Sequence, residues 1–373
     1  MATVAQPQPS AERPGARPLK ILQTLFWVAC LAGAIIFPLV FSNPAITTIA
    51  FFTLVFAAAG SGWNIFSGYS GYIALGHAAF FGLGCYSLAI ICERWHIAGG
   101  WLPFAFVPVA GLVAAAFAVP VGAIALRTRR HTFVVITIAI FFIFQLLAYN
   151  LRGVTNGSSG LELPIPPWSG GAFNLPFYYV MLAILLLVVG TSYVVRHSKY
   201  GLELLAIRDD EDRARGLGVK TVWVKLSAFV LSAFFVGMAG AVWAYFLESI
   251  YPPFAFDAQF DVVVALMAFL GGLGTISGPL LGALIIIPVQ QYFAVAYGEN
   301  GLYLIFYGIL FLIVILLLPE GIVPAVSQRL FARRSRRNAT PVAPGPTAAS
   351  VDSTETRKTN AIRPNSVAAG ERE

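Results

Sequence analysis

The sequence predicts an all-α polytopic membrane protein, and three observations lead to this fold class. Hydrophobic residues make up 58% of the 373 residues and charged residues 11%, with a mean hydropathy of +0.78. The apolar residues fall in runs, such as 21–41, 101–126 and 177–195, each near the ~17–25 residues that a membrane helix needs. Backbone groups in lipid must bond within their own segment, so these runs indicate helices.

The runs predict about ten spans in chain order, with eight or nine as an alternative because several runs are short. The positions of the basic residues predict the orientation of these spans across the membrane. With both termini cytoplasmic, residues 127–131, 196–222 and the tail after 318 all lie inside, as the positive-inside rule requires. The net charge of +7 then reflects membrane orientation, and we expect lipid contact and no nucleic-acid partner. The predicted spans are 20–41, 45–60, 73–92, 102–126, 132–150, 177–195, 223–247, 259–271, 276–296 and 302–318.

The two ends of the chain differ in composition from its centre. Residues 1–19 are rich in Pro, Ala and Gln, and we expect a disordered cytoplasmic segment there. Residues 326–373 begin basic and continue rich in Pro, Ala, Ser and Thr, a composition that cannot bury a core, so we expect a disordered cytoplasmic tail. Residues 20–325 would then form the transmembrane domain, with a cytoplasmic loop at 196–222.

Two glycine-rich stretches interrupt the helical pattern, and they carry similar Phe-Gly-Leu-Gly and Phe-Leu-Gly-Gly-Leu-Gly cores that indicate a possible internal repeat. Each glycine within a helix costs about 1 kcal/mol relative to alanine. Such density favours either close helix packing or unwound backbone beside a cavity, and both interpretations stay open. The first stretch, 68–84, contains Gly76, His77, Gly82 and Gly84; the second, 269–283, contains Gly271, Gly272, Gly274, Gly278 and Pro279.

The loop at 198–220 concentrates charges of both signs. Leu202, Leu205, Ala206 and Ile207 precede its charged run, which favours a short amphipathic helix on the cytoplasmic face. Anionic lipid headgroups select Lys and Arg, whereas this loop mixes acids and bases evenly. Since a long loop in a compact protein usually has a function, we expect a protein partner on the cytoplasmic side.

Three motifs give the chain a resemblance to a known family. Residues 71–80 read Gly-Tyr-Ile-Ala-Leu-Gly-His-Ala-Ala-Phe, residues 225–229 read Lys-Leu-Ser-Ala-Phe after the charged loop, and residues 271–283 read Gly-Gly-Leu-Gly-Thr-x-x-Gly-Pro-x-x-Gly-Ala. In this order and spacing they resemble the branched-chain amino acid permease family of ABC importers, on the side of the M-type subunit of the leucine–isoleucine–valine system. Two positions depart from the family pattern. Ala74 stands where the family usually has Ser, and Arg130 and His131 replace a frequent Gly before the fifth span.

The resemblance implies a non-catalytic permease subunit in the bacterial inner membrane, forming half of the pathway for branched-chain or related amino acids. It implies a heterodimer with an H-type permease, two ATP-binding subunits and a periplasmic substrate-binding protein. ATP and Mg²⁺ would be bound by the ATPase subunits, and we expect no cofactor or metal in this chain.

The resemblance also assigns roles to individual residues. Asp212-Arg213-Ala214-x3-Gly218 is similar to a degenerate form of the Glu-Ala-Ala-x3-Gly loop that docks ABC ATPases. The residues in the two glycine-rich stretches are candidates for the pathway or for helix breaks. The ATPase-coupling residues that it implies are Tyr200, Gly201, Ala206, Ile207, Arg208, Glu211, Asp212 and Gly218.

Two other interpretations remain open. The same family includes permeases for urea and short amides, and a secondary transporter driven by an ion gradient is a different class. Such carriers usually place carboxylates or histidines within their spans. Here Glu93, Glu248, Asp257 and Asp261 lie towards predicted outer edges, with Asp261 the best candidate for an exception. His77 has no second ligand at metal-binding spacing, so we expect it to pack or to hydrogen-bond freed backbone.

Overall fold

The computed structural model describes residues 17–41, 43–297, 308–309, 312 and 321–325, and these form a helical bundle. All of them lie within one compact unit, Met1–Ser327. The helices are α1 (Arg17–Val40), α2 (Pro44–Trp63), α3 (His77–Arg94), α4 (Leu102–Ala105), α5 (Val107–Ala125), α6 (Arg130–Asn150), α7 (Arg152–Thr155), α8 (Asn174–His197), α9 (Lys199–Asp209), α10 (Glu211–Gly216), α11 (Thr221–Leu247), α12 (Pro252–Ala255), α13 (Ala258–Gly271) and α14 (Gly278–Tyr297). A π-helical turn (Asn64–Gly68) follows α2, and two 3₁₀ turns, Gly157–Ser159 and Gly170–Ala172, precede α8.

A small β-ribbon joins two connections of the bundle. Strand β1 (Leu161–Glu162) pairs antiparallel with β2 (Ser249–Ile250), and Leu161 lies opposite Ile250. The amide of Leu163 extends this pairing with a 2.7 Å hydrogen bond to the carbonyl of Glu248. The loop before α8 is thereby fixed to the connection between α11 and α12.

Long apolar helices confirm the all-α polytopic fold class. Within the described residues, six are long and apolar enough to cross a membrane, and two shorter apolar helices, Val28–Val40 and Gly278–Ala294, accompany them. Helices α1, α3 and α14 coincide with three further predicted spans. The tenth predicted span, 302–318, lies outside the described residues except for 308–309 and 312, as do 1–16 and the tail 326–373. The six long segments are Pro44–Gly68, Leu102–Ala125, Arg130–Asn150, Asn174–His197, Thr221–Leu247 and Pro252–Gly271.

Helix α11 lies at the centre of the bundle and packs against α2, α3, α5 and α8. Its contact with α3 is close because small residues meet there: a methyl group built on Gly84 would overlap the carbonyl of Gly237. Beside it, the thiol of Cys85 donates a 3.1 Å hydrogen bond to the carbonyl of Gly240. This is the small-residue packing by which membrane helices approach each other without a hydrophobic driving force.

Two helix breaks lie where the sequence has its glycine-rich stretches. The first break, residues 64–76, begins with the π-helical turn, returns to helix at Tyr69 and Ser70, and is non-helical from Gly71 until α3 starts at His77, four residues later than the predicted span. The second break, residues 272–277, separates α13 from α14. Pro279 lies in the first turn of α14, where its missing amide hydrogen leaves no helical bond unmade.

Side chains satisfy the backbone of the first break. Trp63 donates its indole N–H to the carbonyl of Ala74 at 2.8 Å, and the amide of Ala74 donates to Ser67 Oγ at 3.3 Å. The amide of Leu75 donates to Thr137 Oγ1 of α6 at 3.2 Å. Because an unpaired backbone group buried in the protein is costly, these bonds permit a non-helical segment here.

The α3–α11 contact predicts a position where alanine is not tolerated. Gly84→Ala should force the two helices apart and lower the free energy of unfolding by ~1–3 kcal/mol, the usual effect of overpacking. Thermal unfolding of the purified protein in detergent would measure this. Gly190→Ala in α8 is the matched control, because a methyl group there meets nothing within 4 Å. Equal melting temperatures for the two variants would show that the contact is looser than described.

Candidate functional site

The charged segment, residues 198–220, forms two short helices instead of the single helix that its pattern predicts. Ser198 begins α9, with its Oγ accepting from the amide of Gly201 at 3.3 Å. Asp210 then begins α10, and its carboxylate accepts from the amides of Asp212 and Arg213, both at 3.1 Å. Asp is a preferred N-cap residue, which is why the helix restarts at this point.

Arg208 extends from α9 into both helix breaks. Its Nη1 donates a 3.0 Å hydrogen bond to the carbonyl of Gly68. Its side chain also lies against Gly71, where a methyl group would be 2.9 Å from Cγ, and against Gly274, where a methyl group would overlap Nη1. Gly71 and Gly274 have φ values of +72° and +77°, which favour glycine for conformation as well as for space. The guanidinium therefore lies in a slot whose walls are backbone.

Asn64 joins the two breaks directly. Its Nδ2 donates to the carbonyl of Thr275 at 2.9 Å, and its Oδ1 accepts from the amide of Gly274 at 2.9 Å. Asn64 belongs to the π-helical turn, whereas Thr275 and Gly274 follow α13. The buried side chain of Asn64 therefore holds the backbone of the second break against the π-helical turn of the first break.

Glu211 attaches α10 to the membrane helices. Its Oε1 lies 2.6 Å from Nζ of Lys225 in α11, and its other oxygen accepts from the hydroxyl of Tyr72 in the first break. Lys225 Nζ also donates to Tyr72 Oη at 3.3 Å and lies 4.4 Å from the centre of the ring. The Lys225 side chain is 2% exposed and that of Glu211 16%, so water screens this ion pair weakly.

The electrostatics of Glu211 favour its charged form. Burial of the carboxyl opposes ionisation, but hydrogen bonds from Lys225 and Tyr72, together with the positive charges of Lys225 and Arg215, outweigh burial and hold the pKa of Glu211 below its ordinary value. A lowered carboxyl pKa stabilises the folded arrangement above the ordinary pKa, and this stabilisation is lost as pH falls through the lowered one. The ion pair is therefore formed at neutral pH.

Arg130 closes the other end of α9. Its Nη2 donates to the carbonyls of Ile207 and Arg208 at 2.9 and 2.7 Å, and these carbonyls lie in the last turn of the helix. Carbonyls at a helix C-terminus lack intrahelical donors, and a cation there is favourable. Tyr200, near the start of α9, donates to the carbonyl of Val224 at 3.1 Å. The helix is thus held at both ends.

The structure divides the predicted coupling residues between two faces. Gly201, Ile207, Arg208 and Glu211 face the bundle, and Tyr200 and Ala206 pack partly against it. The side chain of Asp212 is 95% exposed, and Gly218 follows the end of α10 with a φ of +91°. Sequence reasoning did not assign roles to Asn64, Tyr72, Arg130 and Lys225; Tyr72 and Lys225 lie in the quoted motifs, and Arg130 was noted only as a departure from the family pattern.

Most of the predicted residues of the first glycine-rich stretch lie at helix contacts. Gly76 lies against the carbonyl of Thr137, and Gly82 against the ring of Phe256. His77 is buried, and its Nε2 lies 2.8 Å from Ser232 Oγ of α11, so its partner is a side-chain hydroxyl and not the freed backbone that the sequence leads us to expect. Among the described residues, no group of three His, Cys, Asp or Glu is placed to hold a metal ion.

The predicted residues of the second stretch form a tight turn. A methyl group on Gly271 would overlap the backbone of Gly278, and one on Gly278 would overlap the carbonyl of Gly272. Pro279 packs 3.6 Å from the position that a methyl group on Gly60 of α2 would take. The turn therefore brings α14 back against α13 and α2.

Asp261 is an exception to the outer-edge position of the other carboxylates, as the sequence analysis suggests. The short helix α12 extends the span upstream to Pro252–Gly271, which places Asp261 inside it with 3% exposure. Its Oδ1 and Oδ2 accept from the amide of Ala78 at 3.1 and 3.2 Å. A carboxylate at a helix N-terminus is electrostatically favourable, so Asp261 closes the start of α3.

Comparison with known proteins identifies the family of this chain. Residues 45–315, which include both breaks and the charged segment, match the family model described as branched-chain amino acid transport system / permease component. The chain belongs to this family. It is a permease subunit of an ABC importer, as the sequence resemblance implies.

Individual relatives agree with the family. The high-affinity branched-chain amino acid transport system permease protein LivM of Escherichia coli (strain K12) is 27% identical over 336 residues, which cover 83% of this chain and 77% of LivM. LivH of the same strain is 25% identical over 281 residues, covering 72% of this chain and 90% of LivH. The fructose import permease protein FrcC of Rhizobium meliloti is 31% identical over 119 residues, covering 30% of this chain and 32% of FrcC. No solved structure matches.

The Glu211 attachment predicts a local change in stability. Glu211→Gln should release α10 from the bundle, because an amide cannot replace the carboxylate beside buried Lys225; removing one partner of a buried pair costs about 3–5 kcal/mol. Amide hydrogen exchange of residues 211–216 should accelerate, while exchange in α13 stays unchanged. Asp212→Gln is the matched control because its side chain is exposed. Equal exchange rates in both variants would contradict the attachment.

Proposed function

We propose that this permease forms one half of the pathway of an ATP-driven importer for branched-chain or related amino acids, with the charged segment as its contact to an ATPase subunit. The observation that carries the proposal is the two-sided build of this segment. Its inner face is bonded to the first break and to α11 and packs against Gly274 of the second break, whereas its outer face is exposed. LivM and LivH are named as permeases of branched-chain amino acid transport systems, which supports the substrate class.

The outer face offers a docking surface of mixed charge. An open groove of about 380 Å³ lies on it, lined by Ala206, Asp209, Asp210, Arg213, Ala214 and Leu217. Leu217 is 85% exposed, and the Arg213 side chain is 87% exposed. An exposed leucine between charges of both signs suits a protein partner better than a lipid surface, which would select cations. ATP and Mg²⁺ would be bound by that partner, which hydrolyses ATP, and not by this chain.

The remaining assembly follows the family pattern. We place the chain in the bacterial inner membrane with about ten spans and cytoplasmic termini, and residues 20–325 as the permease domain. An H-type permease would form the other half of the pathway, two ATPase subunits would bind from the cytoplasm, and a periplasmic binding protein would deliver the substrate. LivM and LivH, both permease proteins of this kind of system, support a second permease as partner.

Transport would proceed by alternating access. ATP-driven movement of the ATPase subunits would displace the charged segment, and its attachments would carry this movement to the two breaks. A bound partner can shift such an equilibrium only by binding the two states differently, so the outer face must meet the ATPase differently in each.

Substrate class is tested by uptake in a deletion strain that carries the wild-type gene and its partner genes. We expect uptake of labelled leucine that excess isoleucine and valine reduce and excess urea does not. Uptake of labelled urea, with no leucine uptake, would instead assign the permease to the urea and short-amide branch.

The docking surface predicts a loss of partner binding. Leu217→Asp should weaken binding of the ATPase subunits to the permease pair in detergent, by about tenfold or more, the factor for a buried leucine contact of ~1.5–3 kcal/mol. Membrane insertion and melting temperature should stay unchanged, because the side chain touches solvent. Ile165→Asp, exposed in the loop before α8, is the matched control. Unaltered affinity for Leu217→Asp would place the docking surface elsewhere.

A further inference from the structure

Arg208 lies where three separate parts of the described chain meet. Its backbone belongs to the charged segment, its Nη1 bonds the carbonyl of Gly68 in the first break, and the same atom lies against Gly274 in the second break. In the linear sequence, Gly68 lies 140 residues before Arg208 and Gly274 lies 66 residues after it. A displacement of α9 therefore reaches both breaks through one side chain.

We propose that Arg208 is a positioning residue that transmits movement of the charged segment to both helix breaks at once, and is not a docking residue for the ATPase. The inference rests on the proposed function and names the residue through which the coupling acts. It differs from the role that the family resemblance implies, in which Arg208 belongs to the ATPase contact.

The slot around the guanidinium supports transmission. Glycine at 71 and at 274 lets backbone approach the arginine on two sides, so the side chain cannot move far without moving the breaks. Arginine is also suited to this site, because its planar fork is held in a fixed orientation by few hydrogen bonds, whereas a lysine ammonium is a flexible point charge.

The bonds of Arg130 and Asn64 make the connection stiff on both sides. Arg130 fixes the main chain at Ile207 and Arg208, so the base of the side chain is anchored to α6. Asn64 bonds the two breaks to each other beside the guanidinium. A movement that enters through α9 would therefore shift the π-helical turn and the α13–α14 turn together.

The exposed face of the charged segment explains why docking and transmission separate. Arg213 and Leu217 point away from the bundle, whereas Arg208 is partly buried against the breaks. An ATPase subunit that binds the groove would meet the first two side chains and not the third. Replacement of Arg208 should then leave the affinity for the ATPase unchanged while it reduces transport.

The test uses the complete transporter, with both permeases, the ATPase subunits and the binding protein, reconstituted in proteoliposomes. Arg208→Gln should bind the ATPase subunits with wild-type affinity, yet lower the amount of leucine transported per ATP by about tenfold or more, as expected when a charge-assisted hydrogen bond is lost. Arg208→Lys should restore part of that ratio. Arg127→Gln, exposed in the loop between α5 and α6, is the matched control and should behave as wild type.

Three results would overturn the inference. The first is tenfold weaker ATPase binding by Arg208→Gln, which would make it a docking residue. The second is an unchanged ratio of transport to ATP hydrolysis in Arg208→Gln. The third is a ratio in Arg208→Lys that is no better than the ratio in Arg208→Gln. If Arg208→Gln fails to assemble, the ratio in Arg208→Lys is compared with that of the wild type, and an unchanged ratio overturns the inference. If the wild-type protein itself neither binds ATPase subunits nor transports leucine, the proposed function fails instead.

Discussion

The satisfaction of buried backbone polar groups is the constraint on which the rest of this structure depends. Two segments interrupt the α-helices within the bundle, where a backbone group without a hydrogen-bond partner is costly. Side chains from distant parts of the chain supply the partners: Trp63 and Thr137 for the extended part of the first break, and Arg208 and Asn64 where the breaks meet. Each bond that permits the non-helical backbone also ties it to another element.

That requirement gives the charged segment its mechanical connection. Because Arg208 satisfies a carbonyl of the first break and Glu211 accepts from Tyr72 of the same break, α9 and α10 are attached to that break by the bonds that keep it stable. Lys225 adds α11, the central helix, to the same attachment. The start of α3, closed by Asp261, follows a few residues later. Under the proposed function, movement at the surface and rearrangement of the breaks would therefore occur together.

Run length and glycine density are local properties, and nine of the ten predicted spans coincide with described helices. The glycine-rich stretch 68–84 overlaps the first break only as far as Gly76, because its later residues lie within α3. Contacts between distant residues are beyond such patterns. The hydrogen bond between Asn64 and Gly274 joins residues 210 positions apart, and no periodicity in the sequence predicts it. The sequence also does not show that the Arg208 side chain points into the bundle, since a charged residue beside the membrane surface can face solvent, lipid or a partner protein. The upstream extension of the span that contains Asp261 is likewise not visible in the sequence, because the short helix α12 is interrupted after Ala255.

Amide hydrogen exchange of the reconstituted transporter, compared between its nucleotide-free and ATP-trapped states, tests the central claim most directly. The account predicts that exchange in residues 64–76 and 272–277 changes together with exchange in 198–220, because one set of side-chain bonds holds all three. A change confined to residues 198–220, with both breaks unaltered, would contradict it.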